Sequence, residues 1–154
     1  MSATHVERLP AHPGRTAPEQ ASATAHAQQP SRKRLWTGRV LSGFAVLFLT
    51  FDATLKLLML PEAVEGTMRL GYTVDVVRGL GILQLACLVL YLVPRTSVLG
   101  VVLWTGYLGG AVATHVRAGD PLFSHVLFPV YVALFLWGGL WLRNQKLRAL
   151  LPLT

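Results

Sequence analysis

The sequence predicts an all-α, membrane-embedded four-helix bundle with a disordered N-terminal tail. Three observations predict it. Four long apolar stretches fill nearly everything after residue 35. Charged residues make up only 14% of the chain, and mean hydropathy is +0.49. Basic residues gather at the ends of the apolar stretches, where they set topology. A helix rises about 1.5 Å per residue, so about 20 residues cross a hydrocarbon core of roughly 30 Å. A soluble fold of 154 residues has no use for four helices that are apolar on most of their surface.

Residues 1–31 are a different material. They are rich in Pro, Ala, Gln and Thr and hold no aromatic residue. Such a segment buries too little apolar surface to offset the entropy of ordering, so it reads as a disordered tail. No apolar run follows Met1, so it does not read as a secretory signal. His5, His12 and His26 are too irregularly spaced for a metal-binding tract.

The four-helix domain occupies 36–151, with spans expected at about 40–60, 76–93, 97–116 and 121–142. After the first span, Pro61 opens a short interfacial helix carrying Glu62, Glu65, Met68 and Leu70, which Gly71 stops. Spans two and three are joined by the tight turn Val93-Pro94-Arg95-Thr96, which makes them an antiparallel hairpin. Asp120-Pro121 reads as an N-cap and first-turn proline for span four. Pro129 removes a backbone donor inside that span and is expected to kink it.

Arg32, Lys33, Arg34, Arg39, Arg95, Arg143, Lys146 and Arg148 fall on one side of the membrane. Arg69, Arg78 and Arg117 fall on the other, which Lys56 approaches from within the first span. The positive-inside rule then places both termini in the cytoplasm. Trp36, Tyr91, Trp137 and Trp141 stand near the inner ends, where interfacial aromatics belong. The net charge of +7 is explained by this arrangement and not by nucleic acid.

The chemistry must lie in the few polar residues inside the spans. Asp52 and Lys56 are four apart and share a face. They read either as an ion pair that fixes helix position or as a ligand- or proton-handling pair. Tyr107, Ala111 and His115 share one face of span three, and His125 stands one turn into span four. Asp52, Lys56, Arg78, His115, Arg117 and His125 therefore all fall in the outer third of the bundle. This asymmetry suggests a polar pocket open to the extracytoplasmic face, against the plainer reading of a snorkelling belt. Gly106, Gly109 and Gly110 are expected to let another helix approach closely. Gln84 reads as an interhelical hydrogen-bonding residue and Cys87 as a packing residue. The single cysteine excludes an intrachain disulfide or a CxxC pair, and two histidines alone do not make a zinc or haem site. No nucleophile–base set is present, so the chain does not read as an enzyme in isolation.

The stretch 38–151 resembles the DoxX-like family of small bacterial four-span membrane proteins. The resemblance is carried by Phe51-Asp52-Ala53-Thr54-Leu55-Lys56-Leu57, by Leu70-Gly71-Tyr72, and by Gly79-Leu80-Gly81-Ile82-Leu83-Gln84. Further matches are Tyr91-Leu92-Val93-Pro94-Arg95-Thr96 and Trp141-Leu142-Arg143. The most specific runs from Thr105-Gly106-Tyr107 through Thr114-His115-Val116-Arg117. The resemblance implies a bacterial cytoplasmic membrane and a non-catalytic subunit or scaffold in a redox or stress-related assembly. Quinone is the cofactor it leaves room for, with membrane or redox proteins as partners and a homo-oligomer as a further option. Relatives often carry an acidic residue where Gln84 stands, which speaks against a protonation role there. The alternative from the residues alone is binding or transport of a small solute, or of a quinone, through the outer pocket. A single four-helix bundle with no inverted repeat is small for a transporter.

Overall fold

The computed structural model describes residues 32–150, and the tail expected over 1–31 lies outside them. Within that range the chain forms α1 (Arg32–Leu57), α2 (Pro61–Arg69), α3 (Val74–Leu92), α4 (Ser97–Ala118), a π-helical segment (Leu122–Val126), α5 (Phe128–Arg143) and α6 (Gln145–Leu150). No strand occurs among the described residues. Four helical stretches are long and apolar enough to cross a membrane: 32–57, 74–92, 97–118 and 122–143. The bundle buries only 22% to 33% of their most apolar windows. Phe44, Leu47, Phe51, Ile82 and Leu134 point outward. That much outward apolar surface belongs in lipid, so this is an integral membrane protein.

The long helices form a ring in which α1 packs on α3 and α5, and α4 packs on the same two. Close approach occurs at a few glycines, where a Cβ would collide with the neighbouring helix. Gly38 and Gly139 serve α1 and α5, Gly81 serves α1 and α3, and Gly100 serves α3 and α4. Small residues shorten interhelical distances in this way. Among the described residues, the expected close packing at Gly106, Gly109 and Gly110 is not made. A Cβ at any of the three would meet no atom within 4 Å, because no helix lies against that strip.

The helix ends follow local chemistry. Past α1, Met59 adopts φ 54° and Pro61 restarts the chain as α2. Gly119, at φ 71°, closes α4 in the left-handed conformation that glycine adopts without steric cost. Span four is the least regular. Asp120 does not cap it, since its carboxylate is engaged elsewhere. Pro129 does not kink a continuous helix. It lies in the first turn of α5, where a missing N–H costs nothing, and the π-helical segment precedes it.

The solid core occupies the end of the bundle near the α3–α4 turn. Tyr91, Val101, Trp104 and Leu136 are fully buried there, with Leu49, Leu88 and Leu140 around them. Tyr91 is therefore not an interfacial residue. Its hydroxyl donates to the Leu136 carbonyl at 3.0 Å and accepts from Ser42 Oγ at 2.9 Å, tying three helices together. The sequence placed it by depth alone, which does not distinguish an inward from an outward face.

Candidate functional site

The opposite end, which carries α2, is hollow. A cavity of about 580 Å³ lies among α1, α3, α4 and α5 beneath α2. Asp52, Lys56, His115 and His125 line it; Arg78 and Arg117 do not. Arg78 is exposed. Arg117 turns toward the loop after α2 and donates to the Leu70 carbonyl at 2.6 Å.

Asp52 anchors one wall. One helical turn separates it from Lys56, whose Nζ donates to Asp52 Oδ2. Gln84, one helix over on α3, donates its Nε2 to the same oxygen at 2.6 Å. The Lys56 side chain is only 14% exposed and that of Asp52 32%, so the pair borders the cavity without lying open. Gly81 allows this, because its missing side chain admits the Lys56 Cβ and the Leu57 backbone against α3. Two donors on one carboxylate compensate a charge that is costly at membrane depth.

A second polar group rims the cavity where α4 ends. Gly119 turns the chain so that Asp120 folds back on the last turn of α4. A carboxylate only accepts, so His115 Nδ1 donates to Asp120 Oδ2, at 2.7 Å. Arg69, from the end of α2, reaches Asp120 Oδ1 at 3.3 Å. The hydrogen bond from His115, and then the Arg69 charge, hold the Asp120 carboxyl below the ordinary carboxylate range, against partial burial. His125 packs its ring 6.0 Å from that of His115 and bonds to Ser124 Oγ through Nδ1.

Between these groups the wall is mixed. Thr114 donates to the Gly110 carbonyl, which leaves the Tyr72 hydroxyl as donor to Thr114 Oγ1 at 3.0 Å. Tyr107 is half-buried on the same wall. Phe48, Leu49, Leu80, Phe128 and Val132 supply the apolar part. Sequence reasoning missed Asp120, Arg69 and Tyr72. Asp120 resembled a helix cap, and the other two lie in a connection whose path across the bundle no periodicity reveals. Among the described residues no group of three His, Cys, Asp or Glu stands together as metal ligands.

No curated protein and no solved structure matches the chain. A family model does: that of the DoxX-like family matches residues 40–139, which include the second and third crossings whole, most of the first and fourth, and the whole of the cavity wall. Its match covers well over half of the sequence, and the chain belongs to the DoxX-like family.

Proposed function

We propose that this chain binds a small, uncharged amphipathic molecule in the cavity at the α2 end. The observation that carries the proposal is the cavity itself. Its volume of about 580 Å³ falls in the range of small-molecule sites, and its lining is apolar with a few convergent polar groups. A bundle held for packing alone gains nothing from a hollow half that brings Asp52, Lys56 and Gln84 together. A quinone head group or its hydroxyl-bearing quinol form fits this lining, since Lys56 and Tyr107 carry N–H and O–H groups for ring oxygens and Gln84 carries a carbonyl oxygen for a ring hydroxyl. The same cavity suits a non-catalytic subunit that holds such a molecule within a redox or stress-related assembly.

The proposal includes location. We place the chain in the bacterial cytoplasmic membrane with both ends of the bundle domain's chain cytoplasmic and the cavity extracytoplasmic. Support comes from Arg32, Lys33, Arg34, Arg95, Arg143 and Arg148 at the end opposite the cavity. Single cysteines at Arg34 and Arg95 should be labelled from the cytoplasm only, and one at Glu62 from outside only. The reverse labelling removes the topology.

The binding proposal is tested by isolating the full chain from its membranes in nanodiscs and identifying small molecules carried with it. One should be enriched in the native chain and depleted at least fivefold in Asp52→Asn at equal folded content. Equal carriage by both proteins removes the reading.

A further inference from the structure

We infer that Gly106 and Gly110 are the seat for a planar, uncharged, hydroxyl-bearing ring, and so determine what the cavity admits. This rests on the cavity being a ligand site, as proposed above, and adds the shape and chemistry of what fills it.

The glycines of this bundle are of several kinds; Gly43, Gly79 and Gly109 are bare and do not line the cavity, Gly66 on α2 is bare and does, and two sets on the long helices contrast. At Gly38, Gly81, Gly100 and Gly139 a neighbouring helix occupies the space a side chain would take. At Gly106 and Gly110 nothing does, yet both line the cavity. They lie four apart on one face of α4, about 6 Å along the axis. Packing does not require them to be bare. What they leave is a strip of backbone against which a flat body can lie, and which a Cβ would hold away.

Three further observations define that body. Phe48 and Phe128 line the same cavity and meet edge to face, with centroids 5.3 Å apart. Aromatic side chains of this kind favour a flat π-system over a bulky aliphatic one. The lining cations are already taken, Lys56 by Asp52 and Arg69 by Asp120. An anion would have to break one of those pairs, so the ligand is uncharged. Finally, Gln84 lines the cavity, is 2% exposed, and has no hydrogen-bond partner at Oε1. Its orientation is not free to reverse, because Asp52 only accepts and so requires the Nε2 end. A hydroxyl on the ring supplies the donor that Oε1 lacks.

The probe is 2-naphthol. The comparators are decahydro-2-naphthol, with the same skeleton but no planarity, and naphthalene-2-sulfonate, which is planar but anionic. Binding to the full chain in phosphatidylcholine nanodiscs is measured by equilibrium dialysis, with empty nanodiscs subtracted. The expected result is saturable binding of 2-naphthol, with both comparators at least tenfold weaker. Gly106→Val and Gly110→Val should each weaken 2-naphthol at least tenfold without lowering the melting temperature. Gly109→Val, on the same helix but off the cavity, should change neither. If a valine variant does lose stability, the Gly106→Ala and Gly110→Ala forms are measured instead, with at least a threefold loss expected. Unchanged 2-naphthol binding in the glycine variants, together with loss in Asp52→Asn, overturns the glycine seat and leaves the cavity reading standing. Equal affinity for the planar and saturated alcohols overturns the planar ligand. Failure of every probe to bind saturably, with no carried molecule in the isolation experiment, overturns both.

Discussion

Gly100 and Tyr91 stand so close across the α3–α4 hairpin that a Cβ on Gly100 would lie 2.6 Å from the Tyr91 Cα. Backbone meets backbone there, and neither side can give way by changing a rotamer. Gly100→Ala should therefore cost about 1–3 kcal/mol, as overpacking does. Gly109→Ala, which meets nothing within 4 Å, should leave stability nearly unchanged. Thermal unfolding of both variants in the same detergent checks the contrast.

Tyr91 also offers a test of the polar core. Its hydroxyl is shared between Ser42 and the Leu136 carbonyl in a fully buried setting. Tyr91→Phe leaves Ser42 Oγ and the carbonyl without that partner and should cost about 1–3 kcal/mol. Pairing the change with Ser42→Ala should recover part of the loss, because one orphaned group is then removed. A double-mutant cycle reads the recovery directly.

The Asp52 carboxylate receives both Lys56 and Gln84. Asp52→Asn leaves the Lys56 charge without its partner at the cavity wall. The cost should be about 1–2 kcal/mol, below that of breaking a fully buried pair because Asp52 is 32% exposed. Glu62→Gln, at an exposed position on α2, should cost less than half as much. Equal unfolding temperatures for the two variants would remove the pair from any role in stability.

The rim at Asp120 predicts a pH response. Its carboxyl is held below the ordinary carboxylate range, first by the His115 hydrogen bond and also by the Arg69 charge. A group with a depressed folded pKa contributes stability that is fully present above its unfolded pKa, near 4 for a carboxylate. That contribution is lost as pH falls through the lower, folded value. Acid unfolding of the native chain should therefore extend further down in pH than that of Asp120→Asn, the two converging below the folded pKa. Circular dichroism between neutral and strongly acidic pH checks this, and parallel curves throughout would argue against it.

The fold was legible because length and apolarity are properties of the chain itself. The crossings at 74–92 and 97–118 fall within two residues of the stretches read from hydropathy. The fourth, at 122–143, falls within one residue of its stretch, but hydropathy does not register that Leu122–Val126 is π-helical or that Pro129 takes the first turn of α5. The first begins at Arg32, eight residues before the stretch read at about 40–60. Asp52, Lys56, His115 and His125 could be placed at one end from depth alone. Arg78 and Arg117 have the same depth but point away, and depth carries no azimuth. The glycines of α4 show the same limit from the other side. A GxxxG pattern marks a face without side chains, and whether a helix or a cavity lies against it depends on the neighbours.

Two bonds run in opposite directions between the same pair of segments. Arg69, at the end of α2, reaches Asp120 beyond α4, while Arg117, on the last turn of α4, reaches the carbonyl of Leu70 beyond α2. The two arginines thus cross-stitch the segment over the cavity to the end of α4. Arg69 is 74% exposed and lies outside the four crossings, so its half of the stitch is open to the medium at the edge of the bundle. Attraction between charges in water is screened over about 8 Å at physiological ionic strength. How firmly the cover is fastened is therefore set partly by the salt concentration of the bathing medium, while the span packing below it answers to the lipid.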